Sequence, residues 1–234
     1  MVAANRDEFV DRPAAAPRVL LHDPWVVAGQ DLQAGGTWLG LNEAGLVVGV
    51  LNRRTAAGPD PTRMSRGLLC LRVLQCRTLV QAAELLGAEV GDDYNPFTML
   101  IASRQRAVVA VPDAADIVIR PLPAGVHLLT NLEVNDPTCP RIAKSQKLFE
   151  AVGIPPASRA EEVVAGLRTI LADHSTQLDP RSLDDDNSLC IHAGAYGTRS
   201  SAVIALDAFG GARYWHCEGP PCREEFHSVA LPRS

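Results

Sequence analysis

Ala3-Ala4-Asn5-Arg6-Asp7-Glu8-Phe9 sets four polar or charged residues directly behind a short apolar start. Met1-Val2-Ala3-Ala4 reads as the end of a strand that delivers residues 5–8 to one place, and strand ends let polar groups converge on a ligand without breaking a core. On spacing alone the same stretch also fits a charged turn between two strands, since most charge runs are solvated faces.

Working outward, strands are predicted at 18–22, 25–29, 37–41 and 46–52, with Asn42-Glu43-Ala44-Gly45 as a turn. Asp60-Pro61 opens a helix with Pro in its first position, and Met64, Leu68, Leu71 and Leu74 recur at helical spacing. Thr78 starts a second helix that Gly87 ends, and strands return at 97–103, 107–111, 117–121 and 126–130. A helix over 140–152 is closed by Gly153. The next begins at Ser158, which caps it while Glu161 reaches back, and buries Val163, Val164, Leu167, Ile170 and Leu171. Strands at 188–192, 201–206 and 212–216 close the chain. Strands, a helix pair, strands, a helix pair and strands again define an α+β protein with antiparallel sheets covered by helices. With 234 residues, 47% hydrophobic and 21% charged, one core suffices, and residues 1–234 are expected to form a single domain.

A net charge of -5 and no Lys/Arg run longer than Arg53-Arg54 argue against a nucleic-acid partner, which needs clustered cations to neutralise phosphates. No apolar run approaches the ~18 residues of a membrane span, and no charged-then-apolar leader opens the chain. A soluble, cytoplasmic protein is the expectation. Cys70, Cys76, Cys139, Cys190, Cys217 and Cys222 are then expected to be thiols. The tightest cluster, His216-Cys217 with Cys222 and His227, lacks the close ligand pairs of a zinc site, so no metal ligands are assigned.

Three motifs in order, Asn5-Arg6-Asp7-Glu8, Gly35-Gly36-Thr37-Trp38-Leu39-Gly40 and Tyr196-Gly197-Thr198-Arg199-Ser200-Ser201, resemble the NRDE family, also called the transport and Golgi organisation protein 2 family, over about residues 2–228. That resemblance implies a four-layer αββα sandwich of the N-terminal-nucleophile hydrolase type. A second likeness, to the bile-salt hydrolase and penicillin V acylase branch, runs through the hairpin 40–46 with Leu51-Asn52 and through Leu129-Thr130-Asn131. It implies oxyanion-binding roles for Asn52 and Asn131, an active-site role for Arg199, and a place near the nucleophile's amine for Glu8, with Asn5 standing where those enzymes carry Arg. In that fold the nucleophile is residue one and its own α-amine is the base. Family members carry a Cys after their initiator Met, a strand's length upstream of the matching tetrapeptide. The physiological start is therefore expected upstream of Met1, with the first strand missing from the sequence as given.

Two functions follow from the resemblance. The main expectation is a binding scaffold, non-catalytic as given, that holds a small amphipathic ligand of the haem or acyl-coenzyme A/lipid type, with Asn5, Arg6 and Tyr196 as ligand contacts. Haem trafficking and lipid metabolism are the processes the resemblance implies, and Arg is suited to the carboxylate or phosphate of such ligands. The alternative is a cysteine-type amidohydrolase acting on a linear or cyclic amide, with Glu8, Asn52, Asn131 and Arg199 as catalytic residues. Cys139-Pro140 offers a haem thiolate, although Pro140 is equally explained as the first residue of a helix. Trp38 reads as packing, because residues 37–41 alternate as a half-buried strand should.

Overall fold

The computed structural model describes residues 1–54, 58–152, 160–174 and 188–232. The chain divides into two compact units: Met1–Arg12, Asn135–Asp207 and Gly211–Ala230 form the first, and Pro13–Val134, Ala208–Gly210 and Leu231–Ser234 the second. The α+β architecture with antiparallel sheets is present in both.

The second unit is a seven-stranded antiparallel meander. Its strands β2 (Ala14–His22), β3 (Trp25–Asp31), β4 (Leu39–Asn42), β5 (Val47–Asn52), β6 (Phe97–Ala102), β7 (Ala107–Asp113) and β8 (Asp116–Leu122) pair in chain order. Helices α1 (Arg66–Val73) and α2 (Leu79–Gly87) cover one face: Leu69, Cys70, Val73 and Leu74 pack with Val26, Ala28 and Val48, and Ala82 and Leu86 complete the cluster. Thr78 caps α2 as predicted, its hydroxyl accepting from the Gln81 amide.

The Gly-Gly-Thr-Trp stretch is explained by close approach. A Cβ on Gly36 would lie 2.2 Å from the Gly67 carbonyl carbon, and Thr37 donates to the Gly67 carbonyl at 3.0 Å. The Trp38 ring lies over Gly29, where a Cβ would meet it at 2.6 Å. Thr37 is thereby spent on α1, so the predicted strand 37–41 begins at Leu39 instead.

Two further predicted elements differ. The helix expected from Asp60 begins at Arg66, capped by the Ser65 hydroxyl. Asp60 folds into a turn, its carboxylate accepting from the Thr62 amide and hydroxyl, while Asn95 clamps its backbone at 2.8 and 2.7 Å; Pro suits that turn as well as it suits a helix start. Residues 126–130 form no strand. A β-rich run needs a neighbouring ladder, and β8 ends the sheet among the described strands.

In the first unit β1 (Val2–Phe9) pairs with β10 (Tyr196–Leu206), then come β11 (Ala212–Glu218) and the short β12 (His227–Ser228); β9 (His192–Ala193) also pairs with β10. The strand entering Asn5 is thus eight residues long, and the four polar residues lie within it instead of beyond its end. Helices α3 (Pro140–Val152) and α4 (Ala160–Leu171) have their predicted extents as far as the described residues reach; Gly153 and the Ser158 cap lie outside those residues. Val163, Val164, Leu167 and Leu171 of α4 pack on Ala3, Val203, Ala205 and Trp215. Of the strand predicted at 188–192 only His192 pairs, because the Leu189 and Cys190 amides both donate to the Asp173 carbonyl at 2.9 Å.

Candidate functional site

Between β1 and β10 the ladder runs Asn5–Ser201, Arg6–Ser200, Asp7–Thr198, Glu8–Gly197 and Phe9–Tyr196, so Arg199 is an extra residue on β10 opposite no residue of β1. Such a bulge re-aims a side chain and is found disproportionately beside active sites. The Arg199 Nε is buried and has no hydrogen-bond partner among the described residues, an expensive state for a charged donor.

The residues flanking Arg199 are held firmly. The Thr198 hydroxyl donates to Asp7 Oδ1 at 2.6 Å and accepts from the Ile191 amide at 2.9 Å, and the Thr198 amide donates to the Ile191 carbonyl. Gly197 is required by that approach, since a Cβ there would stand 2.7 Å from the Ile191 carbonyl oxygen. The Tyr196 hydroxyl donates to the Asp7 carbonyl at 3.2 Å, and its ring packs edge-on against Phe9.

Asn5 donates both amide hydrogens to backbone, to the Leu171 carbonyl at 2.9 Å and the Leu189 carbonyl at 2.7 Å, while its oxygen accepts from Ser201 Oγ at 2.5 Å. Arg6 is buried. Glu8 accepts from the Phe9 amide at 2.9 Å and faces Arg12 at 3.8 Å. Asn5, Arg6, Glu8, Tyr196 and Arg199 therefore share the β1–β10 pair.

Asn52 and Asn131 belong to the second unit. Asn52 ends β5 opposite Phe97, and the Arg54 amide donates to the Asn131 carbonyl at 3.1 Å. Arg53 forms an ion pair with Glu133 and donates to Thr98 Oγ1. These contacts bring the Asn131 loop alongside the end of β5.

A further cluster joins residues distant in sequence. Cys190 Sγ lies 3.6 Å from Cys222 Sγ and 3.6 Å from His192 Nε2, and His192 Nε2 lies 3.1 Å from Cys222 Sγ. Burial pushes the Cys190 thiol up to about 12, with the neighbouring Cys222 adding to the shift. Of the group singled out in the sequence, His216 lies opposite His227 in register and bonds Glu218 at 3.1 Å, and the Cys217 thiol donates to the Gly219 and Glu224 carbonyls. The one available signal was Cys190-x-His192, two residues apart on an extended segment. Local spacing groups Cys222 with Cys217 and does not pair it with Cys190 and His192.

The fold is similar to that of an N-acylethanolamine-hydrolyzing acid amidase ortholog from Caenorhabditis elegans, with a TM-score of 0.58 and 13% identity, covering 86% of this chain and 85% of that one. It is also similar to penicillin V acylase from Agrobacterium tumefaciens, with a TM-score of 0.51 and 16% identity, covering 92% and 78%. This places the chain in the N-terminal-nucleophile-hydrolase-like fold class. Within that class it belongs to the Transport and Golgi organisation 2 family, which its residues 1–216 match. It is 27% identical over 236 residues to the Transport and Golgi organization protein 2 homolog of Homo sapiens and 25% over 232 to the Mus musculus homolog; each match covers 90% of this chain and 83% of the relative.

Proposed function

We propose that this chain is the body of a cysteine-type amidohydrolase acting on an N-acyl amide, its nucleophile a cysteine upstream of Met1 in the full polypeptide. The observation that carries the reading is Arg199, an extra strand residue whose buried Nε lacks a partner among the described residues. The similar folds of an acylase and an amidase support the class of bond.

In this reaction the thiolate attacks the amide carbonyl carbon, and an oxyanion forms that needs hydrogen-bond donors. Each such donor lowers the barrier by about 3 kcal/mol. The nucleophile's α-amine takes the thiol proton and passes it to the leaving amine as the C–N bond breaks, and water then hydrolyses the thioester to the acid. Arg199 holds an anionic or carbonyl group of the substrate, with Arg6 and Tyr196 on the same strand pair and Glu8 orienting the α-amine.

The polypeptide beginning at that cysteine should release equal amounts of acid and amine from an N-acyl amide, with turnover abolished by alkylating the terminal thiol and reduced in Arg199→Ala. Absence of an in-frame upstream Met-Cys, or a folded Cys-initiated chain that cleaves no member of a panel of N-acyl amides, refutes the reading.

The unpartnered Arg199 nitrogen also supports a second reading, in which an amphipathic ligand such as haem or an acyl-coenzyme A is held without turnover. Saturable one-to-one binding of either ligand, lost in Arg199→Ala, supports it. Retention of a haem spectrum in Cys139→Ala excludes Cys139 as the axial ligand.

A further inference from the structure

Cys190, His192 and Cys222 bring three soft donor atoms to one point in the first unit, all lying within 4.8 Å of one another. A tetrahedral zinc ion with Zn–S near 2.3 Å and Zn–N near 2.0–2.1 Å holds two sulfurs about 3.8 Å apart and a sulfur and nitrogen about 3.5 Å apart. The three separations here, 3.6, 3.6 and 3.1 Å, lie within about 0.4 Å of that triangle. Both cysteines are free thiols.

Each donor stands on a segment with little freedom. Cys190 is fixed by its own amide and that of Leu189, both donating to the Asp173 carbonyl, and by the bonds tying Ile191 to Thr198. His192 is registered opposite Gly197. Cys222 follows Gly219-Pro220-Pro221, where two prolines fix φ. The Pro220 carbonyl accepts from the Arg223 and Glu224 amides at 2.9 and 3.1 Å, and Gly219 takes φ +119°, where a Cβ would also stand 2.7 Å from Glu224 Cγ. Ligands ordered before the ion arrives lose little entropy on binding.

We propose that Cys190, His192 and Cys222 form a zinc site with two thiolates, one imidazole and a fourth position left to solvent. Two thiolates and an imidazole select a thiophilic d¹⁰ cation over calcium or magnesium, which take oxygen donors. Binding transfers the two thiol protons to solvent and converts one buried and one half-buried thiol into coordinated thiolates. The ion would link the segment after α4 to the turn after β11, two parts of the first unit that the sequence keeps 32 residues apart.

Reduced, metal-free protein titrated anaerobically with Co(II) tests the site. The expected result is one equivalent bound, with a thiolate-to-cobalt charge-transfer band and red d–d bands of four-coordinate intensity, all displaced by Zn(II). Cys222→Ser and His192→Gln should each weaken binding by more than about tenfold, whereas Cys139→Ser should leave it unchanged. Absence of the charge-transfer band in the wild-type protein overturns the proposal without any variant. So does one-equivalent binding that survives both Cys222→Ser and His192→Gln when their circular dichroism shows them folded.

Discussion

Asn5 ties three segments of the first unit together, and truncating it should show how much. Asn5→Ala deletes the bonds to the Leu171 carbonyl, the Leu189 carbonyl and the Ser201 hydroxyl, at 2.9, 2.7 and 2.5 Å. Leu171 is the last residue of α4, and the final carbonyls of a helix have no intrahelical donor, so Asn5 serves as that helix's C-terminal partner. Each bond contributes about 1 kcal/mol net. Three such bonds total about 3 kcal/mol. For a chain of this length that is a fall in Tm of roughly 6–12 °C, read by circular dichroism. Urea unfolding should show a lower midpoint at unchanged slope. Asn5→Asp keeps an acceptor for Ser201 but sets a carboxylate against two carbonyl oxygens, and should cost at least as much. A loss below about 0.5 kcal/mol for Asn5→Ala, or an Asn5→Asp variant as stable as wild type, would refute this account and return Asn5 to a ligand-facing role.

Asn42 is fully buried, donates to the Leu74 and Cys76 carbonyls and accepts from the Leu46 amide. Asn42→Ala strands all three away from water and should cost about 4 kcal/mol, more than Asn5→Ala in the same urea assay. Gly36→Ala drives a Cβ into the Gly67 and Leu68 backbone at 2.2–2.5 Å, where no flexible side chain can yield, and should lose about 2 kcal/mol or more; a neutral result removes close approach as the reason for that glycine. Burial holds His216 below its ordinary value of 6.5 against the pull of Glu218, with His227 opposite it in register. The unfolded chain therefore takes up the proton first as pH falls, so stability present above the ordinary value declines below it, until the folded imidazole also protonates. His216→Gln should show a smaller drop in urea midpoint between about pH 8 and about pH 5 than wild type, and equal drops would contradict the assignment. Deleting Arg199 should leave the β1–β10 register intact, since no pairing crosses that residue, and give a folded chain without substrate turnover or ligand binding.

Much of the fold was legible because its signals are local. Thr78 and Gly87 bound α2, and the stripe Val163, Val164, Leu167, Ile170 and Leu171 is buried throughout. The misreadings at Asp60 and at 126–130 share one cause. Asp-Pro serves a turn and a helix start equally well, and the choice was made by Asn95, 35 residues away. Alternating Val and Leu mark a strand only where a neighbour completes the ladder.

The site was legible as a set of motifs but not as geometry, and the bulge explains why. Two-residue alternation over 196–201 assigns Thr198 and Ser200 to one face and Arg199 to the other, yet the extra residue resets the register so that Thr198 meets Asp7 and Ser200 meets Arg6. Sequence spacing cannot show which residue of a strand is the unpaired one, because that depends on the partner strand's length between two fixed pairs. For Cys222 the partners were hidden by the same limit in a stronger form. Its partners lie across a turn and two strands, and only the Pro220 turn and the Asp173 carbonyl, each holding backbone that carries no ligand atom itself, bring the three side chains within bonding distance of a common point. Turns that look like connectors in the sequence therefore determine whether the donors of this unit meet.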